Sequence, residues 1–171
     1  YTVLSVGHVV DTEDNYKIIT DDGQTHPVDK KAIKQFPEEV DLAILQFNST
    51  KRYQVAALGD STSVAFGTPC YVSGFPIVPG NNEMQYQFSE GQIGAHASRP
   101  LEGGYALAYL NATFAGMSGG PLLDGQGQLI GIHGQAMSSF TETKGIDPNT
   151  GVKIALNLAI PLNRFLRLVP Q

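Results

Sequence analysis

Gly116-Met117-Ser118-Gly119-Gly120-Pro121 sets a serine between glycines. On a tight turn such a serine exposes its hydroxyl. The flanking glycines let backbone N–H groups converge beside it, where the oxyanion of a tetrahedral acyl intermediate can be held. A serine hydroxyl attacks only when a base takes its proton, and that base needs a partner to orient it. His8 follows the apolar stretch 2–6 as Gly7-His8-Val9, and Asp41 opens the apolar run Val40-Asp41-Leu42-Ala43-Ile44-Leu45. Taken singly, each has a plain structural reading: a satisfied strand-end histidine, a surface acid capping a strand, a serine in a glycine-rich turn. Together, in the order His8, Asp41, Ser118, they supply base, orienting acid and nucleophile. The Gly-x-Ser-x-Gly spacing also fits the elbow of α/β-hydrolases, which needs a strand-turn-helix around the serine with acid and histidine after it. Here both candidates precede Ser118, and Pro121-Leu122-Leu123-Asp124-Gly125 followed by 129–133 reads as a hairpin.

The remaining chemistry-bearing residues are sparse. His26 precedes Pro27 in what reads as a solvated polar turn, and His96 reads as surface. The four histidines and Cys70 show no metal-ligand spacing, so a zinc site is not expected, and acyl transfer by a serine, base and acid needs neither a metal nor an organic cofactor. Cys70, between Pro69 and Tyr71, reads as a small buried filler, and a lone cysteine excludes an intrachain disulfide framework.

The elements that must position these residues are short. Apolar or β-branched runs at 2–5, 16–20, 42–47, 69–73, 85–93, 105–111, 122–123, 129–133 and 153–159 are separated by turn signals such as Asp21-Asp22-Gly23, Pro79-Gly80-Asn81 and Asp124-Gly125-Gln126-Gly127. Such spacing predicts an all-β barrel or sandwich. Helices are expected at 30–34, briefly, and at 161–168, where Pro161 starts a segment carrying Leu162, Phe165 and Leu166. The stretch 137–150 reads as a long polar loop. The 171 residues are 42% hydrophobic and 16% charged with a net charge of −5. That excludes a disordered chain, and it shows neither the basic field of a nucleic-acid binder nor an apolar run long enough for a membrane-spanning helix.

Leu4-Ser5-Val6-Gly7-His8-Val9-Val10, Val40–Leu45 and Gly116–Leu123 together resemble the trypsin-like (chymotrypsin-fold) serine peptidases, most closely their disulfide-free bacterial type. Gly67 through Gly74-Phe75-Pro76 is similar to the segment opening the second barrel, and Ala159-Ile160-Pro161 to the lead-in of the last helix. The resemblance implies two antiparallel barrels of the six-stranded type: residues 1–60 would carry His8 and Asp41, and 61–171 would carry Ser118 and the primary pocket. It implies a serine endopeptidase in which Ser118 attacks, His8 shuttles the proton, Asp41 orients His8, and the N–H groups of Gly116 and Ser118 form the oxyanion hole. Ala112, Thr113, His133 and Gly134 would bind substrate, with His133 and Thr113 favouring an acidic P1 residue unless an acid such as Glu142 or Asp147 enters the pocket.

Met117 stands where digestive members carry an aspartate that pairs with a freed amine, so no activation of that kind is implied. The implied partner is an extended peptide or protein substrate laid on a strand edge beside His133, with no nucleic acid and no membrane. Family members have strands ahead of the histidine strand, with which this sequence opens, so an upstream segment is expected to complete the first barrel and cover its open edges. The competing reading is a catalytically idle peptide-binding or scaffold module of the same fold.

Overall fold

A computed structural model describes residues 1–11, 15–36, 39–77, 85–136 and 156–169. The first part of the chain forms β1 (Thr2–Ser5), β2 (Tyr16–Ile19), β3 (Thr25–Val28), β4 (Lys34–Gln35) and β5 (Ala43–Gln46). A single 3-10 turn, Gly7–Val10, follows β1, and another, Lys30–Ala32, precedes β4. β1, β5 and β4 make a three-stranded antiparallel sheet in that order, and β2–β3 a separate hairpin. Alternate residues of these strands pack inward as Val3, Tyr16, Ile18, Val28, Ala43 and Leu45, joined by Val10 from the first 3-10 turn, the period-two pattern of a half-buried sheet.

The second part holds β6 (Pro69–Gly74), β7 (Gln87–His96), β8 (Leu107–Tyr109), β9 (Pro121–Asp124), β10 (Leu129–Ala136), β11 (Asn157–Pro161) and α1 (Leu162–Leu168). The six strands close into an antiparallel barrel in the order β10-β11-β8-β7-β6-β9. Val72, Ile93, Leu107, Tyr109, Met117, Leu122 and Ile130 fill it. α1 is too short to persist alone. It docks by burying Leu162, by packing Phe165 edge-on against Phe36 with ring centroids 6.1 Å apart, and by donating the Asn163 N–H to Ser61 Oγ. No helix among the described residues is long and apolar enough to cross a membrane.

A third apolar cluster joins the two parts. Val6, Val40 and Leu42 from the first pack with Tyr105, Leu129, Ile132, Leu158, Ile160 and Leu162 from the second. Val6 stands two residues before His8, and Val40 and Leu42 flank Asp41, so one core anchors the segments that carry both.

The expected elements 2–5, 16–20, 42–47, 69–73, 85–93, 105–111, 122–123 and 129–133 all have strand counterparts, with ends shifted by up to three residues. The last expected strand starts at Asn157; 153–155 and the loop 137–150, with Glu142 and Asp147, lie outside the described residues. The short helical stretch expected at 30–34 is the 3-10 helix Lys30–Ala32, which runs into β4. The solvated turn expected at His26 is instead β3. His26 pairs across from Ile18, its ring lies 4.5 Å from that of Phe47, and its Nε2 is buried. Pro27 is tolerated because a strand in a two-stranded sheet has one edge where no N–H is needed.

Candidate active site

The end of β1 delivers the histidine. Val6 is still extended, and the 3-10 turn that begins at Gly7 rotates His8 out of the sheet. Asp41 precedes β5, the neighbour of β1, so sheet pairing brings the two together. Asp41 Oδ2 lies 2.7 Å from His8 Nδ1, and Asp41 Oδ1 accepts the His8 backbone N–H at 2.8 Å. The carboxylate thus grips both ring and backbone, which sets the tautomer and leaves Nε2 outward without a partner among the described residues. The His8 side chain is 45% exposed and that of Asp41 18%, so the base is open to solvent while the acid is sheltered.

Asp41 has a further partner that the sequence did not announce. The hydroxyl of Tyr105, a fully buried residue just ahead of β8, donates to Asp41 Oδ2 at 2.5 Å. Burial by itself would raise the Asp41 carboxyl. The hydrogen bonds from Tyr105 and then from His8 overcome it and hold the group below its ordinary value. Tyr105 itself is pushed up by burial and by Asp41, so it remains a neutral donor.

Ser118 lies on the loop between β8 and β9. Gly116 and Gly119 hold φ of +94° and +89°, which side chains other than glycine rarely accept. The loop is pinned to β10 through Gly119 N–H to the His133 carbonyl at 2.8 Å and His133 N–H to the Gly120 carbonyl at 2.9 Å. Met117 is buried behind it in the barrel. The Gly116 and Ser118 N–H groups have no protein acceptor among the described residues. The Ser118 hydroxyl donates to the Gly134 carbonyl at 3.2 Å, and no hydrogen bond joins it to His8. Hydrogen bonds between a nucleophile and its base are often long and tighten only when substrate binds. A cleft of about 360 Å³ runs between the first sheet and this loop, lined by Ser5, Val9, Val10, Phe75, Gly116 and Ser118 among others.

The expected pocket residues divide. Ala112 is exposed, and the Thr113 hydroxyl is held by the Asn157 side chain, which also donates to the Asn111 carbonyl at 2.6 Å. Gly134 is buried on β10 beside the serine loop. His133 is 3% exposed, with Nδ1 2.6 Å from the buried Tyr109 hydroxyl and a further hydrogen bond to the Leu158 carbonyl. Burial lowers its pKa to about 4, against the Leu158 carbonyl and with a smaller push from His8. The ring is therefore neutral at pH 7, with both nitrogens engaged. No group of described histidine, cysteine or acidic residues is arranged to hold a metal.

Solved structures share this architecture. The HtrA-type protease AlgW with decapeptide superposes with a TM-score of 0.74 at 24% identity, over 98% of this chain and 46% of that one. The AlgW S227A form with tripeptide gives 0.73, over 97% and 50%. The class defined is thus the chymotrypsin-like barrel fold. The family model for the trypsin-like peptidase domain matches residues 1–132, and the chain belongs to that family. Among curated relatives, the serine protease Do-like HtrA of Lactococcus lactis subsp. lactis (strain IL1403) is 28% identical over 98% of this chain. The "Probable periplasmic serine endoprotease DegP-like" of Brucella suis biovar 1 (strain 1330) is 29% identical over 99% of it. The chain spans 40% and 30% of the length of these two relatives.

Proposed function

We propose that the chain is a serine endopeptidase that cleaves peptide bonds through an acyl-enzyme on Ser118. The observation that supports this is the two-point hold of Asp41 on His8, which leaves Nε2 without a partner among the described residues; His8 is next in sequence to Val9, which lines the same cleft as Ser118. His8 takes the Ser118 proton as the hydroxyl attacks the scissile carbonyl. The same ring returns it to the leaving amine, and Asp41 stabilises the imidazolium between the two events. The Gly116 and Ser118 N–H groups, without protein acceptors among the described residues, receive the oxyanion. Residues 1–60 and 61–171 act as the two halves of the site, and no cofactor takes part.

The substrate is an extended peptide. β9 flanks β10 only as far as Ile132, so the 134–136 edge next to Ser118 has no strand on that side among the described residues and can pair with a substrate backbone. Two solved neighbours of this fold, AlgW with decapeptide and its S227A form with tripeptide, carry peptides. The edge of β1, whose partner among the described residues is β5, can take a further strand.

For P1, the acidic preference rests on His133 with Thr113. It requires the imidazole to exchange Tyr109 or Leu158 for the substrate carboxylate. Hydrolysis of peptides differing only at P1 (Glu, Asp, Lys, Arg, Leu, Ala), with Ser118→Ala as the blank, tests both levels. Turnover abolished by Ser118→Ala supports the endopeptidase. A Glu preference that disappears in His133→Ala supports the acidic pocket, and a Lys or Arg preference sinks it. A folded chain with no turnover on any peptide favours the idle peptide-binding module.

A further inference from the structure

We propose that the Tyr105 hydroxyl is a positioning residue of the site, a third arm that aims the Asp41 carboxylate and ties it mechanically to the Ser118 loop through Gly134. This inference rests on the serine-peptidase reading above and deepens it.

Three observations converge on Tyr105. Its hydroxyl reaches Asp41 Oδ2, the same oxygen that faces His8 Nδ1, from a position 64 residues further along the chain. Its ring sits in the apolar cluster shared by both halves, beside Val6, Val40 and Leu42, so it cannot follow Asp41 if the carboxylate drifts. On the far side the hydroxyl abuts β10 so closely that a Cβ at Gly134 would overlap it, and the Gly134 carbonyl accepts the Ser118 hydroxyl. Gly134 is therefore glycine for a reason located on another element: the space its side chain would fill is taken by the Tyr105 oxygen. His8, Asp41, Tyr105, Gly134 and Ser118 form one continuous chain of contacts that crosses the cleft behind the base.

The chemistry follows from the donor. A carboxylate oxygen shared by an imidazole N–H and a phenol O–H is fixed in plane and cannot rotate away from His8. Among the described residues the titratable groups around Asp41 are His8, Tyr105, and Asp11 and Glu102, which line the same hollow; of these, His8 and Tyr105 make the hydrogen bonds to its side chain. Removing the phenol O–H takes away the largest of the contributions that lower the Asp41 carboxyl, so that group rises. The site then loses its ionised acid at a higher pH as the solution is acidified.

The test is Tyr105→Phe, which keeps the ring and deletes the donor. We expect kcat/KM on a peptide substrate to fall about 10- to 100-fold, through kcat with KM little changed. The acid limb of its pH profile should move to higher pH. Replacing Tyr105 with 3-fluorotyrosine, a stronger donor of nearly the same shape, should move that limb the other way. A wholly structural role would not give shifts of opposite sign. A Tyr105→Phe enzyme with the wild-type rate and pH profile overturns the proposal. If the wild-type chain turns over no peptide, the peptidase reading fails, yet the Asp41 carboxyl carbon can still be titrated by NMR. A higher Asp41 midpoint in Tyr105→Phe supports the third arm, and an unchanged one overturns it. If Tyr105→Phe does not fold, the fluorotyrosine chain carries both readouts.

Discussion

Asp41 is the residue on which most of the local physics converges. It is sheltered, yet three hydrogen bonds from two residues keep it ionised. His8, Asp41 and Ser118 were legible in the sequence because each sits in a short local pattern of its own. Tyr105 was not, since its partner lies 64 residues away and a tyrosine in an apolar run reads as core. His133 was legible as a residue of interest but not as a ring with both nitrogens already engaged, a fact of burial and of Tyr109 across the barrel. Cys70 behaves as its sequence context suggested. It is fully buried, its thiol donates to Asn111 Oδ1 at 3.2 Å, and burial pushes that thiol up to about 12. A buried neutral thiol is a poor nucleophile. The folded chain is expected to show no reaction with an aromatic disulfide reagent and one thiol per chain after unfolding. Fast labelling of the native chain would contradict that placement.

Strands and loops set the geometry that these residues use. The serine loop depends on two backbone bonds to β10 and on positive φ at Gly116 and Gly119. A Cβ at Gly119 would overlap the Ser5 hydroxyl of β1, so the loop also presses on the histidine strand. Gly119→Ala is expected to cut peptide turnover by at least about 100-fold by displacing both walls of the cleft. It should also lower the melting temperature, checked by calorimetry alongside the assay. Ile130 is fully buried in the barrel, away from the site. Ile130→Ala should cost about 3 kcal/mol in urea unfolding while sparing kcat in the surviving folded fraction. Most strands were legible from alternation and turns. β3 was not, because His26-Pro27 breaks the pattern locally, and the edge position and the Phe47 contact that rescue it are tertiary. The closed order of the barrel was likewise unreadable, since it depends on pairings such as β6–β9 and β10–β11 between distant segments.

At the scale of the molecule, a shared apolar core couples stability to the site. His133 in the barrel wall is neutral in the folded chain, with a pKa of about 4 against an ordinary 6.5. The unfolded chain binds a proton on this histidine below about 6.5, while the folded chain resists it until about 4. Stability from this group is thus fully present above the higher value and is lost as pH falls through the window. The loss amounts to at most about 3 kcal/mol. Urea unfolding at pH 7, 6, 5 and 4.5 should show this decline, and His133→Gln should flatten it; an equal slope in both would contradict it. The central claim is that Ser118 is a nucleophile activated by His8 and Asp41 across the cleft. Its most direct measurement is labelling of the native chain with a fluorophosphonate, followed by mass mapping of the adduct. One adduct per chain is expected on Ser118, none in Ser118→Ala, and labelling slowed by at least about 1,000-fold in His8→Ala. A folded chain that takes no label, or that labels equally fast without His8, would contradict it.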